Sequence, residues 1–260
     1  MYPVLFKLWK LPVYSWGLSL ALAFVAGTLF ASSRGKKKGI SSDNIIDLAL
    51  FVCIGSILFA RILYVLLNIG EYAARPVSVF YMRDGGLSFF GGLAGGALVG
   101  IMYCKKQKVQ IGSMADVIAP AVALGYAIVR IGCLLNGCCY GVESHVAWAM
   151  KAAGDGILRH PTQIYSAIYS VIILFVLLAI EAKKKFEGEI LWLYVGFYSV
   201  ARFIVEFWRE SPRDYFAPFT STQVLCVILG ILAFGVVSVY SRASSTPSAG
   251  ANRAKPSTKA

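Results

Sequence analysis

Seven stretches of this chain are apolar over a length that can cross a bilayer, roughly 12–32, 44–67, 86–104, 114–135, 163–181, 189–208 and 221–240, and this repetition leaves few folds open. A span needs about 20 mostly apolar residues to cover a hydrocarbon core about 30 Å thick. Backbone in lipid must satisfy its own N–H and C=O groups, so each stretch is expected to be a helix. Charged residues make up 15% of the 260, against about 25% in soluble domains, which is too few to coat a soluble surface. The expected fold is therefore an all-α integral membrane protein of about seven transmembrane helices. Residues 1–240 form one polytopic membrane domain. Residues 241–260, basic and rich in Ser, Pro and Ala without apolar periodicity, are expected to be a disordered tail near anionic headgroups. The first stretch runs through Ser32-Ser33-Arg34 into a basic run, not into a small-residue cleavage site, so it reads as a retained span.

A net charge of +12 would suit a nucleic-acid partner. Its distribution points to the bilayer instead. Fourteen basic residues fall in alternate connections and the tail: Arg34 and Lys36–Lys38, Lys105, Lys106 and Lys108, Lys183–Lys185, then Arg242, Arg253, Lys255 and Lys259. Eight lie on the other side, namely Lys7, Lys10, Arg75, Arg83, Lys151, Arg159, Arg209 and Arg213. The positive-inside rule puts the first set in the cytoplasm, with the N-terminus outside and the C-terminus inside. The remaining three, Arg61, Arg130 and Arg202, lie within apolar spans.

Helix starts are marked by local chemistry. Ser113 with Asp116 and Thr220 with Gln223 have the spacing of capping boxes, which gives Asp116 a structural reading. Asp43, Asn44 and Asp47 suit the positive end of the second span. Two connections, 68–85 and 137–160, are long enough for a short interfacial helix. No internal repeat of the transporter kind is visible.

Four segments carry candidate chemistry. The run Asp84-Gly85-Gly86-Leu87-Ser88-Phe89-Phe90-Gly91-Gly92 leads into Gly95, Gly96 and Gly100. Small residues four apart suit close helix packing. The double glycine at the mouth suits close approach of a ligand, with N–H groups turned to an anion. The second segment is Arg130-Ile131-Gly132 through Asn136-Gly137-Cys138-Cys139-Tyr140-Gly141. An arginine fork near a span's end either snorkels to the interface or grips a phosphate. The third, His160-Pro161-Thr162-Gln163-Ile164-Tyr165, reads as a helix start with His160 as cap and Pro161 first in the helix, where a neutral imidazole could take a proton. In the fourth, Arg202, Glu206 and Arg209 share one helix face, as a packing ion pair or as an anion site in which Glu206 orients an arginine or takes a proton. Arg61, with Tyr64 nearly one turn on, is a further candidate for this cluster.

Cys133, Cys138 and Cys139 invite a metal or redox reading, but a closed zinc site wants four ligands, and the only histidines are His145 and His160. No metal is expected on this count. A Cys133–Cys138 disulfide would suit an oxidising compartment. Cys53, Cys104 and Cys226 read as small packing residues.

In this order, and together with Tyr14-Ser15-Trp16-Gly17-Leu18 and Gly55 through Ala60-Arg61-Ile62-Leu63-Tyr64-Val65, the segments resemble the bacterial phosphatidylglycerol–prolipoprotein diacylglyceryl transferases over nearly all the chain before the tail. The resemblance implies seven transmembrane helices in the bacterial cytoplasmic (inner) membrane, with the site toward the outer side. It implies transfer of diacylglyceryl from phosphatidylglycerol to the lipobox cysteine of a prolipoprotein signal peptide, releasing glycerol phosphate. Arg130 is then the expected phosphate contact and Arg202 a second essential arginine. The family often has His where this chain has Phe90, Tyr where it has Trp16, and Asn and Glu where it has Cys133 and Cys138. The thiol's proton would then pass to Glu206, His160 or a water held by them. Arg61, Tyr64, Gly86, Ser88, Gly91, Gly92, Asn136, Gly141, Gln163, Tyr165 and Arg209 complete the expected substrate surface, and neither metal nor organic cofactor is called for. The rival expectations are a lipid or anion transporter, a membrane scaffold, and a paralogue with an altered substrate.

Overall fold

The computed structural model describes residues 2–9, 11–74, 76–81, 85–151, 156–210 and 219–245. Lys10, Arg75, Arg83, Asp84, Arg213 and the tail beyond Ser245 lie outside them.

Seven long helices dominate the described residues: α1 (Ser15–Lys37), α2 (Ser42–Leu67), α4 (Phe89–Lys106), α5 (Ile111–Asn136), α6 (Thr162–Glu181), α7 (Glu189–Glu206) and α8 (Ser221–Ser245). Each overlaps one expected span. Five of them, α1, α2, α5, α6 and α8, are long and apolar enough to cross a membrane. The other two, α4 and α7, are 18 residues each; five glycines and two closing lysines dilute the apolar content of α4. Leu20, Leu29, Leu50, Ile54, Leu58 and Ile62 are exposed, while Ser15, Ser19, Ser166, Ser170 and Ser199 are buried. Apolar side chains facing out and small polar ones facing in reverse the order of a soluble domain, as lipid-facing helices require.

Small residues set the packing. A Cβ on Gly95 would lie 2.2 Å from Phe59 Cβ, and one on Gly96 2.4 Å from Ser56 Oγ, so α4 seats its glycine face against α2. Gly132 meets Ser19 of α1 in the same way, and Gly196 meets Phe234 of α8. Contacts pair late residues of one helix with early residues of the other for α1–α5, α2–α4 and α7–α8, and Gln163 at the start of α6 bonds to Cys138 just past the end of α5. Neighbours are therefore antiparallel. The start of α1, the ends of α5 and α7 and the starts of α6 and α8 gather at one end of the bundle.

The opposite end is polar and locked. Asp116 is fully buried and accepts from the backbone N–H of Gly188 and Ile190 at 2.9 Å, from that of Leu191 at 3.3 Å, and from Lys184 Nζ at 3.1 Å. It thus caps α7, not its own helix. The expected Ser113–Asp116 box is not formed, because α5 starts earlier, at Ile111, and Ser113 instead donates to Glu187. Asp116 remains structural, as expected. The Thr220–Gln223 box does form, with Thr220 N–H to Gln223 Oε1 at 2.9 Å and Gln223 N–H to Thr220 Oγ1 at 3.2 Å.

Three further differences are physical. The chain begins with an antiparallel hairpin, β1 (Val4–Leu8) and β2 (Leu11–Tyr14), so the first helix starts at Ser15, not at 12. Tyr2 N–H reaches the Leu135 carbonyl at 2.9 Å, which docks the hairpin on the end of α5. The 68–85 connection holds the short helix α3 (Ile69–Ala74) and a 3₁₀ turn, Pro76–Phe80. The 137–160 connection instead pairs β3 (Met150–Lys151) with β4 (Leu158–Arg159). Helix α8 also continues to Ser245, five residues into the expected tail.

Candidate functional site

Two assemblies hold the arginines of the spans, on different helices. The first is built on α2. Arg61 is buried and directs all five N–H groups at backbone carbonyls: Nε to Val79 at 2.8 Å, one terminal nitrogen to Gly85 and Gly86 at 3.1 and 2.9 Å, the other to Ser78 and Tyr81 at 2.8 and 3.0 Å. Its guanidinium lies 5.2 Å from the centre of the Tyr72 ring, and Tyr64 meets that ring edge-on. This explains the double glycine. Gly85 and Gly86 have φ of +87° and +79°, and a Cβ on Gly86 would lie 2.4 Å from the guanidinium. Their carbonyls face a cation, whereas the sequence suggested N–H groups facing an anion. Ser88 caps α4, its Oγ accepting from Gly91 N–H at 3.4 Å. Gly91 is pressed against α2, where a Cβ would come within 2.5 Å of the Phe59 carbonyl oxygen; Gly92 has more room. A cavity of about 260 Å³ lies beside Arg61, Tyr64, Tyr72, Tyr81 and Gly86.

The second assembly sits where α5 ends, α6 begins and α7 ends. Arg130 lies over the Tyr126 ring, 4.6 Å from its centre, and its buried Nε has no hydrogen-bond partner. Arg202 pairs with Glu206 one turn along α7. Glu206 is buried and also accepts from the Thr220 hydroxyl at 3.3 Å. A carboxylate so engaged orients Arg202 and helps neutralise its charge.

His160 precedes α6, whose cap is Pro161, one residue later than expected. Its Nδ1 is 3.0 Å from the Tyr165 hydroxyl, which accepts from Trp148 Nε1 at 2.7 Å. The backbone of His160 is clamped by Gly141 N–H at 2.9 Å. Gly141 is needed there because a Cβ would fall 2.1 Å from the Trp208 carbonyl oxygen. Arg209 pairs with Gly141 through a β-bridge, and Arg159 forms an ion pair with Glu210.

The connection between α5 and α6 is tied down by buried groups. Gln163 Nε2 donates to the Cys138 carbonyl at 2.6 Å and Thr162 Oγ1 to that of Cys139 at 2.7 Å. Gln163 Oε1 is buried without a partner. Asn136 closes α5, and the Cys138 thiol donates to the Cys133 carbonyl at 3.7 Å. Cys133, Cys138 and Cys139 are free thiols here, with no disulfide among them. The Cys139 thiol is drawn down to about 5, chiefly by its hydrogen bond to Cys133; burial opposes this, while Cys138, Arg209 and Arg130 assist. Sequence reasoning identified the individual residues of this assembly but not Thr162, Trp148, Trp208 or Thr220. Thr162 lay inside a quoted motif, and Thr220 was legible only as a cap.

The class these features define is an all-α membrane protein with two half-buried arginines, a histidine and a buried glutamate gathered at one end of its helix bundle. The chain matches the family model described as prolipoprotein diacylglyceryl transferase over residues 3–239. It is similar to three proteins named phosphatidylglycerol–prolipoprotein diacylglyceryl transferase. The one from Clostridium tetani is 35% identical over 91% of this chain and 98% of its own. That from Geobacter sulfurreducens is 32% identical over 92% and 95%, and that from Clostridioides difficile 32% over 91% and 94%. The chain belongs to the prolipoprotein diacylglyceryl transferase family.

Proposed function

We propose that this chain is an enzyme that moves the diacylglyceryl group of phosphatidylglycerol to the lipobox cysteine thiol of a prolipoprotein, forming a thioether and releasing glycerol phosphate. Family membership supports the reaction. The observation that carries the site is Arg130, whose buried Nε lacks a protein partner. A buried donor without an acceptor is costly unless a ligand supplies one, and a phosphate oxygen does so with matching charge.

In this reading Arg130 holds the lipid phosphate, and Arg202, oriented by Glu206, lends a second positive charge. Both stabilise the negative charge that grows on the leaving phosphate as the C–O bond breaks, in a site poor in water. An apolar groove between α7 and α8, lined by Ser199, Phe203, Cys226 and Gly230, offers about 410 Å³ beside the same stretch of α7 for an acyl chain. His160, in contact with a Tyr165 hydroxyl that Trp148 holds, is the better candidate acceptor for the thiol proton, since both Glu206 oxygens are engaged. Arg61, Tyr64, Gly86, Ser88, Gly91 and Gly92 act by shaping the neighbouring loop and the α2–α4 seam. Gln163, Asn136 and Gly141 shape the α5–α6 connection.

All seven long helices span the bilayer in this proposal, with the N-terminus outside, the C-terminus in the cytoplasm and the site toward the outer side of a bacterial cytoplasmic membrane. The basic last turns of α1, α4 and α8 support that orientation. The test is to incubate purified protein with labelled phosphatidylglycerol and a lipobox peptide. Thioether-linked peptide is the expected product. Lipid movement without product would overturn the reaction in favour of transport.

A further inference from the structure

The sulfur atoms of Cys133, Cys138 and Cys139 lie within 4.8 Å of one another, and the Cys138 and Cys139 sulfurs are 3.7 Å apart. Three thiolates bound to one tetrahedral zinc at about 2.3 Å would sit about 3.8 Å apart, so closing this trio on an ion takes shifts of roughly 1 Å. The turn is built, not incidental. Cys139 has a φ of +65°, a left-handed backbone that a non-glycine residue adopts at a cost. Its carbonyl and that of Cys138 are held by Thr162 and Gln163, both almost fully buried. Among the described residues no His, Asp or Glu joins the group. Cys133 is buried, whereas Cys138 and Cys139 are partly exposed, so the trio can be reached.

We infer that Cys133, Cys138 and Cys139 bind a zinc-class ion whose fourth position is taken by the substrate thiol. The inference rests on the transfer reaction proposed above and supplies its nucleophile. A closed structural zinc site needs four protein ligands, which is why a ligand count excludes one here; an open site has three and keeps a position for substrate. Thiolate donors suit zinc. A thiol bound to the ion is deprotonated, and the thiolate is the reactive form. Arg130 precedes Cys133 by one helical turn on the same face of α5, so a phosphate on Arg130 brings the glyceryl carbon beside the metal-bound sulfur.

The step balances without an oxidant or reductant. The lipobox S–H binds and gives its proton, through water, to His160, the acceptor proposed above. A sulfur lone pair forms the C–S bond as the glyceryl C–O bond breaks, and that electron pair leaves with the phosphate oxygen of glycerol phosphate. The thioether, a weaker donor than the thiolate, then departs, and the ion stays divalent.

Cobalt(II) is the probe. Chelator-treated full-length protein reloaded with one equivalent should show sulfur-to-cobalt charge transfer and the intense visible bands of a tetrahedral site. Both should be lost in Cys133→Ser, Cys138→Ser and Cys139→Ser and kept in Cys53→Ser, with elution profile and Tm confirming that each variant folds. A lipobox peptide should shift the visible bands, while its Cys→Ser form should not. Removing the metal should lower thioether formation about 10²-fold, the scale of a lost proton-transfer catalyst, and zinc should restore it. The inference is overturned by an absent band, by a band that survives all three substitutions, by a spectrum blind to the peptide thiol, or by full activity without metal. A cobalt spectrum that responds to the thiol while no thioether forms from phosphatidylglycerol would keep the metal site and overturn the transfer reaction instead.

Discussion

Arg61 and Arg130 both sit within long helices, the first buried and the second half-buried, and the protein treats them in opposite ways. Each guanidinium has five donors. All five of Arg61 end on protein carbonyls within one loop. Arg130 stacks on Tyr126 and keeps a buried Nε without a partner. A saturated arginine is an architectural element, because releasing it would leave several carbonyls unpaired. An unsaturated one is poised for an acceptor from outside. Charge within a membrane segment marks function by default, but only the donor census separates these two.

Substitutions should split the pair. The largest effect is expected from Arg130→Ala, which should lower thioether formation by about 10²–10³-fold, the scale of losing one preorganised donor. Its Tm in detergent should stay near that of the parent. Arg130→Lys should recover little, since a point charge does not reproduce the fork. Arg61→Ala should do the reverse first. Leaving buried carbonyls unpaired should cost about 3 kcal/mol, read as a fall in Tm, with activity falling only as far as the folded fraction does. Equal Tm values for the two variants would break the comparison. Gly86→Ala should follow Arg61→Ala with a smaller loss of about 2 kcal/mol, from its positive φ and its approach to the guanidinium. A Tm for Gly86→Ala equal to that of the parent would show that the loop does not depend on the arginine staple.

The smallest effect belongs at the far end of the bundle. Lys184 and then Ser113 hold the Glu187 carboxyl below the usual glutamate range, against a smaller opposing effect of burial. A carboxylate lowered on folding adds stability above its unfolded pKa and loses it as pH falls through the folded one. Glu187→Gln should therefore flatten the acid limb of the stability profile by less than about 1 kcal/mol, as expected for a partly exposed pair. Activity at neutral pH should be unchanged.

The helices were legible because apolar length is a coarse and redundant signal, and all seven long helices overlap the stretches read for them. The second assembly was legible residue by residue, since arginine, histidine and glutamine in apolar runs stand out. What was hidden depends on partners distant in sequence. Asp116 has the spacing of a local cap, yet its acceptors serve Gly188, Ile190 and Leu191, more than 70 residues on. Arg61 reads as a membrane charge, and nothing local to it announces the carbonyls of 78–86. The N-terminal hairpin escaped because its two strands, of five and four residues, adjoin an apolar stretch that continues without a break. The cysteine trio was visible as composition, but its geometry comes from the left-handed Cys139 and from side chains of α6.

The most direct measurement is the mass of a lipobox peptide after incubation with phosphatidylglycerol and equal amounts of folded parent protein or Arg130→Ala. The account predicts a diacylglyceryl mass increase on the cysteine with the parent protein and a yield at least about 10²-fold lower with the variant. An unchanged yield from folded Arg130→Ala would contradict it.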